Sequence, residues 1–204
     1  MKFQDITNDT EKTYTLKKNE KCVFFMFNRS GDIVFKLTET GAEAHIFSFD
    51  VLTDAHQETL RLTQKHSATR TTSSALIKSA LFDAGEFTYD GLIHIGKRAA
   101  QTNASQESRS LLFSPLVQIH VKPTLEILAS DVKCRHAATT SPLKEESLFF
   151  AESRGLSKAQ ATRLLVHGFF NEALQQMQAL GIDITEIEKR VTDLVNGNTI
   201  SKLK

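Results

Sequence analysis

Cysteine is scarce: the 204-residue chain has two, Cys22 and Cys134. Two thiols exclude a disulfide framework, and they exclude an all-cysteine zinc or iron–sulfur cage built by one chain. An excess of charge of either sign is also missing. Twenty-five Lys and Arg stand against 24 Asp and Glu, for a formal net charge of +1. That balance lacks the electrostatic footprint of a dedicated nucleic-acid binder. Long hydrophobic runs are absent too. The longest near the N-terminus, residues 22–27 (CVFFMF), is far short of the about 20 residues that span a bilayer. The first residues, MKFQDITNDTEKTYTL, carry no apolar signal core or cleavage site. A cytoplasmic protein with reduced thiols is therefore expected, with no membrane contact.

Familiar catalytic signatures are missing as well. No HExxH or GxxxxGK[ST] occurs, so neither a zincin site nor a P-loop is expected. No GxSxG elbow occurs, and the scattered carboxylates offer no assignable acid/base pair. The expectation is a protein that is not an enzyme.

What is present changes character near residue 141. Before it lie short runs rich in Phe, Val, Ile and Thr: 22–27, 32–37, 45–52, 58–64, 75–82, 86–95, 116–121 and 124–128. Bounded by Gly, Asn, Asp and Ser, they read as strands recurring about every ten residues with no helix between them. A doubly wound α/β fold is excluded; a sandwich, a barrel or a β-solenoid remains. Residues 69–74 (TRTTSS) read as a polar turn or edge strand, and Lys97-Arg98 as a solvated turn.

After residue 141 the pattern turns helical. Ser141 and Pro142 suit the N-cap and first position of a helix ending near Gly155, with Glu145 and Glu146 in its first turn. Ser157 and Gln160 form a capping-box pair for a second helix. Its apolar stripe is Ala161, Leu165, Phe169, Ala173, Met177 and Leu180, and Gly181 stops it. Asp183 and Glu186 open a third helix with Ile184, Ile187, Val191, Leu194 and Val195, and a frayed tail is expected over 196–204. The expected division is a β domain over 1–140 and a helical domain over 141–204, packed on or close to the end of the β region.

One cluster carries possible chemistry: Asp131-Val132-Lys133-Cys134-Arg135-His136. On a strand, Cys134 and His136 share a face while Lys133 and Arg135 take the other. A thiolate beside an imidazole is a ligand pair for zinc, iron or the edge of an iron–sulfur cluster. Nearby cations would lower the Cys134 pKa. The plainer alternative is that Cys134 is a small buried hydrophobe and His136 a hydrogen-bonded core or edge residue. Cys22, inside an apolar strand, reads as buried, and His167 as a packing or capping residue on the second helix.

The segment 122–170, KPTLEILASDVKCRHAATTSPLKEESLFFAESRGLSKAQATRLLVHGFF, resembles the C-terminal signature of the SufB/SufD family of iron–sulfur assembly proteins. There, a KPxLEIxAxDVKCxHGAT stretch leads into LFYLxSRGI and a helix ending in GF. Upstream, residues 73–80 with Lys78 resemble the family's SxLxxK segment, and IHIGKRAAQTNASQESRSLL resembles its AQxT-containing stretch. The resemblance implies a right-handed parallel β-helix followed by a small helical domain. It implies a scaffold role in the SUF machinery, as a dimer with itself or with a SufB-like partner through the β-helix ends. It implies a SufC-type ATPase on the helical domain, contacted by residues 148–170 and especially by Ser153-Arg154-Gly155. Cys134 and His136 match the KCxH motif, so a transient iron–sulfur cluster at a dimer interface is implied. The departures are clear. The chain is about half the usual family length and lacks the N-terminal helical domain. Ala137 replaces a usual Gly, and ATTS resembles SufB more than SufD. Arg70 stands where a second His is frequent, with His66 retained, and the SufB-side cysteine has no counterpart. An adaptor that keeps the fold and the ATPase contact but binds no cluster is the alternative.

Overall fold

The computed structural model describes residues 1–196. The side chains of Val195 and Asn196 and all of residues 197–204, which hold most of the expected frayed tail, lie outside the described residues. Eleven strands come first: β1 (Lys2–Asp5), β2 (Thr13–Leu16), β3 (Lys21–Phe27), β4 (Gly31–Leu37), β5 (Glu43–Leu52), β6 (Gln57–His66), β7 (Thr72–Leu81), β8 (Glu86–Ile95), β9 (Thr102–Leu112), β10 (Gln118–Ile127) and β11 (Val132–Pro142). Three helices follow: α1 (Glu145–Glu152), α2 (Lys158–Ala179) and α3 (Thr185–Asn196).

Odd strands form one six-stranded sheet in the order β1-β3-β5-β7-β9-β11, and even strands form a second in the order β10-β8-β6-β4-β2. All ladders are parallel, so the chain alternates between two faces of a solenoid and advances one rung at each pass. Equivalent positions stack in register: Cys22, Ala44, Ser73, Ala104 and Cys134 form one column. Tight corners need left-handed backbone, which Asn and Asp tolerate best after Gly. Asn19, Asn28, Asp54 and Asp83 supply it with positive φ, and Asp54 donates its N–H to the Asp83 carboxylate of the next rung.

Two apolar layers result. Inside the solenoid pack Phe24, Phe35, Ile46, Leu62, Ile77 and Phe87. On the outer face of the odd-strand sheet, Val23, Phe25, Phe47, Phe49 and Leu76 meet Val166, Phe170, Leu174 and Met177 of α2 and Ile187 and Val191 of α3. This double coverage explains the unbroken CVFFMF run. A strand covered on both faces cannot alternate polar and apolar residues, as is usual in parallel sheets. The even strands face solvent outwardly and do alternate; β6 reads exposed or half-buried at every second residue.

Several expectations need correction. Ser141-Pro142 does not open a helix. Both residues pair with β9 (Ser141 with Leu111, Pro142 with Leu112), so the ladder outcompetes the helix start, and an edge strand tolerates the missing Pro donor. The α1 N-cap is Lys144, without a side-chain cap. The runs at 116–121 and 124–128 are one strand, β10, with Pro123 inside it, again on a sheet edge. Residues 69–74 divide into a turn at Arg70 and the start of the central strand β7. The helices lie along the flank of the solenoid, not at its end: Arg190 of α3 reaches Asp5 of β1. The α2 stripe is shifted as well. Val166, Phe170 and Leu174 are its buried anchors together with Ala161, Ala173 and Met177, while Leu165 and Phe169 are half-buried. The capping box of Ser157 and Gln160 is present in both directions, and Gly181 turns the chain at φ +80°. Before α3, the Asp183 carboxylate accepts from the Thr185 N–H and hydroxyl, so Thr185, not Glu186, is its partner.

Candidate functional site

Cys134 and His136 lie on β11, the last rung of the odd-strand sheet. Cys134 is in register with Ala104, and His136 with Gln106. Both face the solenoid interior, in line with the buried column above, and stand about 6.6 Å apart along the strand. Nothing pairs with the far edge of β11 among the described residues, so the interior opens there. Their environments differ. Cys134 is half-buried against Ile93, Ile95, Ala104 and Leu125. His136 is exposed, and its side chain makes no hydrogen bond among the described residues.

Burial pushes the Cys134 thiol above its ordinary value. This overturns the expected activation by Lys133 and Arg135: they point to the opposite face of the strand, where their charge does not offset desolvation. Arg135 instead lines a cleft of about 310 Å³ with Glu107, Leu76 and Gln176 on the outer side of the sheet. Cys22 is a buried thiol pushed up to about 11 by desolvation. Among the described residues, no group of three or more His, Cys, Asp or Glu is placed to hold a metal ion. Among the described residues the chain thus offers two side chains capable of ligation and an open edge, not a closed site.

A second feature is built by residues 148–170. Phe149 and Phe150 of α1 are 72% and 59% exposed, and Leu164 of α2 is 57% exposed. The Ser153 hydroxyl donates to the Phe150 carbonyl, and the Arg154 guanidinium lies 3.5 Å from the centre of the Phe150 ring. Gly155, at φ +88°, makes the turn into α2. Two exposed aromatic rings therefore stand on α1 beside this turn, with Arg154 packed on one of them.

Sequence reasoning passed over the interior carboxyls. Asp50 of β5 and Glu58 of β6 are both buried inside the solenoid, and the Tyr89 hydroxyl is buried with them. The Ser48 hydroxyl donates to Asp50, yet among the described residues one Asp50 oxygen, both Glu58 oxygens and the Tyr89 hydroxyl have no partner within normal hydrogen-bond distance. Burial and the nearby Glu58 raise Asp50 well above the carboxylate range; burial raises Glu58 to about 7. The signal was available: Glu58 has the parity of Leu60 and Leu62, and Asp50 that of Ile46 and Leu52. His66, the residue shared with the resembling family, is a fully buried staple. Its ring nitrogens bond the Thr71 and Ser73 hydroxyls at 2.8 Å each.

Residues 26–169 match the model of the family described as SUF system FeS cluster assembly, SufBD core domain. The chain is 40% identical over 93 residues to the "Protein ABCI7, chloroplastic" of Arabidopsis thaliana, covering 46% of this chain and 20% of that protein. It is 32% identical over 110 residues to the Escherichia coli iron–sulfur cluster assembly protein SufD, covering 54% and 26%. It is 33% identical over 149 residues to a SufBD family protein of Synechocystis, slr0076, covering 73% and 31%. The matched region thus spans under a third of each of these relatives. With a parallel solenoid, a flanking helical module and a family match over most of its length, the chain belongs to the SufBD core-domain family of the SUF iron–sulfur cluster assembly system.

Proposed function

We propose that the chain is a non-enzymatic scaffold of SUF-type iron–sulfur cluster assembly, with the cluster as transient cargo. One observation carries the reading: Cys134 and His136 face the interior on a terminal strand with one free edge, and among the described residues no third ligand joins them. Two such ends placed together double the donor set to two thiols and two imidazoles, while the exposed edge of β11 invites strand pairing. The second subunit is a copy of this chain or a SufB-like paralogue. The exposed apolar surface of α1 and α2 is the docking face for a SufC-like ATPase, with Ser153, Arg154 and Gly155 at its centre. We divide the chain into a solenoid domain, 1–140, and a docking domain, 141–204. We place the complex in the cytoplasm; no described helix is long and apolar enough to cross a membrane.

The specific observation favouring the second reading, an adaptor without a cluster, is the raised Cys134 pKa: a thiol is a poorer ligand than a thiolate. The two part on one experiment. The protein is co-expressed with a SufC-like ATPase and reconstituted anaerobically with iron and sulfide, then compared by visible absorption with Cys134→Ala and His136→Ala. The scaffold reading expects bound iron in the wild type and its loss in both variants. Equal spectra for all three leave the adaptor.

A further inference from the structure

The two halves of α2 are attached differently. The back half, residues 169–179, is bolted to the solenoid. Phe170, Ala173, Leu174 and Met177 are all fully buried in the layer it shares with the odd-strand sheet, and Phe170 packs 4.8 Å from the ring of Phe49. Lys78 of β7, only 1% exposed, adds a polar clamp. Its ammonium donates to the Phe169 carbonyl and, at 2.9 Å, to the Glu172 carboxylate, and it lies 4.6 Å from the centre of the Phe169 ring. Arg109 of β9 donates to the same Glu172 carboxylate.

The front half, residues 158–167, buries Ala161, Thr162 and Val166, but of these only Val166 joins that layer. Beneath its start, between α1, α2 and the last rung, lies a cavity of about 560 Å³ bordered by Phe113, Pro142, Leu148 and Thr162. On its outer side are the exposed Leu164 and, on the neighbouring α1, Phe149 and Phe150.

Gly168 sits between these halves. Glycine inside a helix is unfavourable relative to Ala by about 1 kcal/mol. Such a residue is usually retained because a side chain would clash or because the backbone is left-handed. Neither holds here: a Cβ at Gly168 meets nothing within 4 Å, and its φ is not positive. The clamped carbonyl belongs to Phe169, the next residue.

We propose that Gly168 is a hinge within α2. Lys78, Glu172 and Arg109 fix the back half, and the front half swings with α1 as one arm over the cavity. The motion carries the exposed aromatic surface toward or away from the solenoid, so a partner bound there gains a lever on the last rung. The inference concerns this chain alone and stands whatever the partner is.

The test uses spin labels in a Cys134→Ser background, where the remaining Cys22 is buried. One pair joins Asn103 of β9 to Glu152 of α1, and the other joins Asn103 to Gln178 of the back half. Pulsed-dipolar distance distributions are compared with and without Gly168→Ala, with far-ultraviolet dichroism as the check on folding. The expected result is a broad distribution to Glu152 and a narrow one to Gln178. Gly168→Ala narrows the first, leaves the second unchanged and raises Tm by about 2–4 °C. A distribution to Glu152 as narrow as that to Gln178, or one that stays broad in Gly168→Ala, overturns the hinge.

Discussion

At the scale of the residue, the interior carboxyls set the pH response. A carboxyl whose folded pKa is raised stays protonated in the folded state while the unfolded chain ionises. Stability is therefore lost as pH rises from the unfolded value, about 4.3 for Glu, toward the folded one. For Glu58 the window runs up to about 7, and Asp50 moves in the same direction. Buried His66 moves oppositely. Desolvation holds it at about 4, so its neutral form contributes stability above about 6.5 that is lost as pH falls toward 4. Glu58→Gln isolates one arm: a neutral amide of similar shape removes the charging cost. Chemical-denaturation midpoints at stepped pH should show Glu58→Gln gaining on the wild type from pH 5 to 7, with the gain level above that. A difference that does not vary with pH would show that Glu58 titrates normally.

Cys134 gives a second residue-scale prediction. Its thiol is raised by burial, and Arg135 faces away from it. Alkylation by iodoacetamide at pH 7 should be slower than for an exposed cysteine and should accelerate above pH 9. Arg135→Ala should leave the rate within about twofold, because only the thiolate reacts and Arg135 does not stabilise it. A clear fall in that variant would restore the cationic activation that the residue order first suggested.

At the scale of the element, what was readable depended on how local the determining force was. The Ser157–Gln160 capping box is decided within four residues, and it forms as read. Ser157→Ala should cost about 1 kcal/mol in thermal or denaturant unfolding. Ser141-Pro142 misleads as a helix start because its fate is decided by Leu111 and Leu112, some 30 residues earlier in the chain but adjacent in the ladder. Strand β9, TNASQESRSLL, carried little strand propensity of its own. Its inward Thr102, Gln106, Ser108 and Ser110 are buried through stacking against β7. The α2 stripe was displaced by one residue because two neighbouring series, Leu165-Phe169 and Val166-Phe170, fit helical spacing equally well, and only the sheet chooses between them. Phe170→Ala tests that choice. Emptying a ring position enclosed by Phe49 and Val166 should cost about 3–5 kcal/mol, whereas the same change at exposed Phe149 should cost little. The pair Cys134-His136 was legible as a shared face from its spacing alone; the lack of a third donor, and the burial that raises the thiol, depended on which rungs lie beside it.

At the scale of the whole molecule, the proposed scaffold has two working surfaces at different places. In that proposal the terminal edge of β11 serves pairing, and the aromatic face of α1 serves the ATPase. If they are separate, each is lost without the other. A lysine directed inward on an edge strand is a recognised guard against strand addition, so Ala138→Lys, on exposed β11, should shift the paired species to monomer in light scattering and still bind the ATPase. Phe149→Asp with Phe150→Asp removes the largest exposed apolar area of α1 and places charge where a partner would bury it. That double variant should lose the ATPase in pull-down and titration while remaining paired. Both aromatic rings are solvent-facing, so its Tm should fall by no more than a few degrees. If Ala138→Lys abolishes ATPase binding too, the ATPase requires the paired assembly and the arm alone is not its site. If the aspartate variant retains the ATPase at unchanged affinity, the α1 surface is not the docking face, and the exposed rings need another partner.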